Sequence, residues 1–156
     1  MARALIVGCG CLGTELGRTL VADGWAVRGT SRTDEGAQRI GDTGLEGVVC
    51  DPDRVGTVLE HVGDVAVLAW ALGGASGASA QDVNGHRLER MLERLVDTPV
   101  RGFVLDAPPG QAEAKDLVAT AGETWQIPVR IIEVDRARTS EWVAATRTAV
   151  ASLIGA

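Results

Sequence analysis

Six short runs rich in Val, Ile, Leu and Ala recur along the chain, each followed by a longer segment whose apolar residues fall at helical spacing. No other feature limits the fold so tightly. The runs are Arg3–Gly8, Ala26–Thr30, Gly47–Cys50, Val65–Trp70, Gly102–Asp106 and Val129–Val134. Helical patterns lie at Leu12–Asp23, Thr33–Arg39, Asp53–His61, Gln81–Val96, Gln111–Thr124 and Ser140–Ile154. A run such as VAVLAW is continuously apolar instead of alternating, which marks a strand covered on both faces. The alternation therefore predicts an α/β fold, a doubly wound, mostly parallel six-stranded sheet with helices on both faces. Punctuation agrees: Asp51-Pro52-Asp53 closes one strand and offers an N-cap, Thr98-Pro99 ends the longest helix, and Ile127-Pro128 precedes the last strand. With 156 residues, the chain reads as a single domain over residues 1–156, without a separate substrate domain.

Charge and composition exclude several function classes. A net charge of −6 with no block of like charge is wrong for nucleic acid or an anionic membrane surface. No apolar run reaches the 18 or so residues of a membrane span. Cys9, Cys11 and Cys50, an odd number without a signal peptide, read as reduced cytoplasmic thiols. Cys9-x-Cys11 has no partner Cys or His at ligand spacing, and His61 and His86 stand apart from each other, so no metal site is expected. Ser76 and Ser79 lack the strand-turn-helix setting of a hydrolase nucleophile, and Leu88, Met91, Leu92 and Leu95 share the core face of one helix.

Gly8, Gly10 and Gly13 form G-x-G-x-x-G directly after the first strand and at the start of the first helix. In that setting the spacing has a mechanism, that of the Rossmann-type fold. Gly8 makes the tight turn, Gly10 lets a pyrophosphate approach the backbone, and Gly13 lets the helix pack close to the strand. Free amides at Cys11, Leu12 and Gly13 then supply donors at the positive end of the helix dipole. The end of the second strand reads Thr30-Ser31-Arg32, where an NAD site carries a carboxylate for the ribose 2′-hydroxyl. Hydroxyls and a guanidinium suit a 2′-phosphate, so NADP(H) is favoured, with Arg28 as a second cation if its side chain turns toward the loop. Asp34 and Glu35 keep NAD(H) as the alternative, although both sit in the first turn of the next helix.

The stretches ALIVGCGCLG, GWAVRGTSR and GLEGVVCDPDRVGTVLEHVGDVAVLAWALGG resemble the short-chain dehydrogenase/reductase superfamily, in its atypical or extended epimerase/dehydratase-like and NmrA-like branches. The resemblance implies that Asp51 lies beside the adenine, and that Ala69, Trp70 and Ala71 pass the ribose and nicotinamide. It also implies a Tyr-x-x-x-Lys pair for the reductases, and here the chain departs from the pattern. There is no tyrosine, Gln111 stands four residues before Lys115, and Asp106 replaces the family's usual serine at the end of the fifth strand. Gln cannot donate a proton at neutral pH, so no catalytic residue is assigned.

Two functions follow as expectations. One is an NADP(H)-dependent, atypical reductase or epimerase-like oxidoreductase acting on an unknown small molecule. The other is a non-catalytic NAD(P)H-binding sensor or regulatory subunit read by a partner protein. A substrate pocket would be built from the loops at Gly73–Ala80 and Ala107–Gly110, from Asp135–Ser140, or from a second copy in a homo-oligomer. Trp142 with Val143 and Val150 either covers such an interface or docks on the sheet.

Overall fold

The computed structural model describes residues 2–74, 85–107 and 109–154. Its elements are β1 (Arg3–Val7), α1 (Cys11–Ala22), β2 (Ala26–Ser31), α2 (Asp34–Asp42), β3 (Glu46–Val49), α3 (Val55–Leu59) and β4 (Val67–Trp70). There follow α4 (His86–Leu95), β5 (Gly102–Asp106), α5 (Ala112–Trp125), β6 (Val129–Ile132) and α6 (Thr139–Ile154). All five strand pairings are parallel, and the order is β3-β2-β1-β4-β5-β6. This is a Rossmann-like doubly wound sheet, as the strand–helix alternation predicts.

Both faces of the sheet are buried at β1, β4 and β5, which accounts for their unbroken apolar runs. On β1, Leu5 and Val7 face one core with Trp70, Phe103, Leu92 and Val118, under α3, α4 and α5. Ala4 and Ile6 face the other with Leu16, Ile40, Trp142 and Val150, under α1, α2 and α6. Leu88, Met91, Leu92 and Leu95 are buried on α4, as their spacing predicts. Trp142 is fully buried against the sheet, so of its two sequence readings the docking one holds for this side chain. Gly17 is a packing residue: a Cβ there would fall 2.5 Å from Leu45.

Boundaries differ from the sequence reading where local hydrogen bonds compete with it. The third helix is five residues long, not the span Asp53–His61. The Asp51 carboxylate accepts the Asp53 amide at 3.0 Å, and Thr57 exchanges bonds with the Asp51 backbone, so Asp51–Arg54 forms a turn before the helix starts. β4 starts at Val67 instead of Val65, whose amide closes a turn onto Val62. β6 ends at Ile132, two residues short of Val134. The expected start of the longest helix, Gln81–Asn84, lies outside the described residues.

Candidate functional site

A doubly wound sheet leaves a crevice at the carboxyl ends of its strands where the order reverses, here between β1 and β4. Val7 and Trp70 are paired across that crossing, so the glycine loop leaves β1 beside the end of β4. Gly8 has φ +87°, and a Cβ would meet Leu72 at 2.6 Å and the Ala71 carbonyl at 2.9 Å. Only glycine fits. Gly13 brings α1 onto the turn, since its Cβ position is 3.2 Å from the Gly8 carbonyl and 3.3 Å from Ile6. Above Gly10 the space is open, with no atom within 4 Å of a Cβ.

Gly10 is the N-cap of α1 and supplies no side-chain bond, and the first turn carries no acid. Among the described residues nothing takes the amides of Cys11, Leu12 and Gly13. Those donors and the helix dipole converge on the open space at Gly10. The space belongs to a groove of about 520 Å³ between α1 and α2, lined by Cys9, Gly10, Cys11, Ser31, Gly36 and Arg39 among others.

Thr30 is 2% exposed, and its hydroxyl accepts the Gly8 amide at 3.2 Å while its carbonyl accepts the Cys9 amide at 3.1 Å. It positions the glycine loop from below. Ser31 reaches the groove, and Gly36 is what lets α2 come so near, because a Cβ there would overlap the Ser31 hydroxyl. Arg32 is half exposed at the end of β2, with its guanidinium 3.6 Å from Asp53. Arg28, the expected second cation, turns the other way. It binds Glu46 at 2.8 Å, Asp64 at 2.8 Å and the His61 carbonyl at 2.7 Å, at the amino edge of the sheet. Asp64 is held down to a pKa of about 2, chiefly by its hydrogen bonds with Arg28.

Arg39 lines the groove and makes no hydrogen bond or ion pair to any described residue. The sequence reading missed it because only the packing of α2 on β2 and β3 brings it to the groove; no local motif marks it. Glu15, the one acid of the lining, stands on α1 across the groove.

Asp51 sits half-buried at the end of β3, engaged with the Asp53 amide. Ala69 and Ala71 pack in the core on the α1 side of the sheet, and the Ala71 amide bonds to the Val7 carbonyl at 2.9 Å. Trp70 points to the opposite core, fully buried with its ring 6.3 Å from Phe103. Leu12 is half-buried at the start of α1. The three thiols are unpaired. Burial pushes the Cys9 and Cys50 thiols up, whereas Cys11 is exposed on the groove.

Lys115 is paired with Glu133 at 2.8 Å, and Gln111 is the residue before α5. The His61 ring lies 3.3 Å from the Val49 carbonyl. No group of three His, Cys, Asp or Glu side chains among the described residues could hold a metal ion, and no described helix is long and apolar enough to cross a membrane.

No family profile and no curated protein matches the sequence. The backbone does have solved counterparts. The Escherichia coli protein BdcA matches with a TM-score of 0.73 at 18% identity, over 93% of this chain and 88% of that one. A yeast methylglyoxal/isovaleraldehyde reductase complexed with NADPH matches at 0.66 and 13%, over 86% of this chain and 55% of the other. A short-chain dehydrogenase/reductase superfamily protein from Agrobacterium tumefaciens with bound NAD matches at 0.67 and 18%, over 84% and 48%. The likeness is one of fold. This chain spans about half the length of both cofactor-bound proteins.

Proposed function

We propose that this chain binds a nicotinamide dinucleotide in the crevice between β1 and β4, with NADP(H) preferred. One observation carries the proposal: unpaired amides at the start of α1 face open space at Gly10, in a loop that only glycine at position 8 allows. Cys11, Leu12 and Gly13 donate to the pyrophosphate, and Gly8, Gly10 and Gly13 give it room. Ser31, Arg32 and Arg39 take the 2′-phosphate, for which Arg39 is the less neutralised cation because Asp53 shares the Arg32 charge. Asp51 and the backbone of Ala69, Trp70 and Ala71 border the adenine and nicotinamide ends; Thr30 acts through the loop it supports. The fold shared with the reductase and dehydrogenase counterparts supports the same assignment.

When bound, such a cofactor supplies hydride chemistry, and the protein's part is orientation and exclusion of water. We favour an atypical oxidoreductase. The absent tyrosine and the Lys115–Glu133 pair favour the second reading, a sensor that binds the dinucleotide without chemistry. Calorimetric titration with NADP⁺ and NAD⁺ tests the binding, and absence of saturable binding to either at millimolar concentration refutes it. Turnover of NADPH against carbonyl, quinone and flavin acceptors separates the enzyme from the sensor.

A further inference from the structure

We propose that Arg136 forms a carboxylate-binding site at the β4–β6 end of the crevice, the site for an anionic substrate; the proposal rests on the dinucleotide reading above. β5 ends on Asp106, a carboxylate only 3% exposed. Its Oδ1 accepts the Trp142 indole N–H at 2.9 Å, and its Oδ2 accepts the Gly73 amide at 3.1 Å and a bond from the Nη1 group of Arg136. The guanidinium also lies over the Trp142 ring, 5.5 Å from its centroid. One corner of Arg136 is therefore docked and its plane is backed. The other edge, Nε and Nη2, makes no hydrogen bond to any described residue, and the side chain is 26% exposed.

That open edge is a two-pronged donor, spaced for the two oxygens of a carboxylate. Gly74 lies against the guanidinium. A Cβ at Gly74 would fall 2.8 Å from Nε, 3.2 Å from Cζ and 3.4 Å from Cδ, which puts it over the face of the guanidinium, so any side chain there would displace Arg136. An arginine already fixed by a buried carboxylate and an indole loses little freedom when a ligand arrives. Asp106 shares the Arg136 charge through the docked corner, and the other nearby acids are engaged elsewhere: Asp135 accepts the Ala137 amide, Glu133 pairs with Lys115, and Glu141 pairs with Arg138. The position matches a substrate end, because Gly73 is two residues beyond Ala71, whose carbonyl abuts Gly8. The segment after β4 thus touches the glycine loop at Ala71 and Leu72 and Arg136 at Gly74.

Oxamate is titrated calorimetrically at fixed ionic strength, with and without saturating NADP⁺, into the wild type and into Arg136→Lys and Gly74→Ala. Arg136→Lys keeps a cation for Asp106 but removes the fork; Gly74→Ala keeps Arg136 but crowds the face of its guanidinium and turns the fork away. The expected result is saturable millimolar binding to the wild type, weakened at least tenfold in both variants, with NADP⁺ affinity within threefold and a cooperative melting transition retained in both. Absence of oxamate binding to wild type, or equal binding in a folded variant, overturns the site. If NADP⁺ binds and oxamate does not, this inference falls while the dinucleotide reading stands. Variant-sensitive oxamate binding without any NADP⁺ binding would refute the dinucleotide reading and with it the substrate role of Arg136.

Discussion

Gly10→Val separates the glycine loop's role in binding from its role in folding. No atom lies within 4 Å of a Cβ at position 10, so the substitution leaves the core untouched and the fold loses less than about 1 kcal/mol. The same side chain stands where a phosphate must come within hydrogen-bond distance of the amides of α1. Losing two charge-assisted bonds of about 1.5–3 kcal/mol each weakens NADP⁺ binding by roughly 10²–10⁴-fold. Gly8→Ala is the contrasting control. Its Cβ collides with Leu72 at 2.6 Å and with the Ala71 carbonyl at 2.9 Å, at a φ of +87°, so it destabilises the protein itself by about 1–3 kcal/mol. Calorimetry gives the affinities and thermal unfolding the stabilities. Gly10→Val protein that melts like the wild type and binds NADP⁺ within threefold of it would refute the claim that the α1 amides hold the pyrophosphate.

Arg39→Gln is expected to weaken NADP⁺ by about 1.5–3 kcal/mol, the scale of one charge-assisted bond, while NAD⁺ affinity stays constant; Arg32→Ala should do less because Asp53 already shares that charge. Equal loss for both cofactors in parallel titrations would show that Arg39 does not read the 2′-phosphate. Asp64 has a folded-state pKa lowered to about 2, so its contribution to stability is complete above its ordinary carboxylate range and is lost as pH falls through that range toward 2. With a half-exposed carboxylate the effect is about 1 kcal/mol, and Asp64→Asn should remove that part of the acid dependence in chemical denaturation between pH 5 and about 2. Trp142→Phe deletes the indole donor to the buried Asp106 and should cost about 1–3 kcal/mol, measured by urea unfolding.

The fold was legible because the same physical rule acts at the central strands β1, β4 and β5. A parallel strand covered on both faces must be apolar throughout, and its return helix must carry an apolar stripe, so VAVLAW and HRLERMLERL announce themselves without neighbours. The glycine loop was equally local: turn, open approach and close packing each need a missing side chain at one fixed position. Arg28 shows the limit. Its place on β2 suggested a role at the loop, but its side chain leaves for the amino edge because Glu46 and Asp64, distant in sequence, converge there.

Spacing along the chain determined the layers, the parallel sheet and the place where a phosphate would be held, since each depends on residues within a few positions of one another. Tertiary structure alone decided which charges face the crevice. Arg39 is brought to the groove by the packing of α2, and Arg136 is anchored by Asp106 and Trp142 from β5 and α6. Side-chain direction at a strand or helix end follows from whatever partner the fold brings near, and no run of adjacent residues encodes that partner.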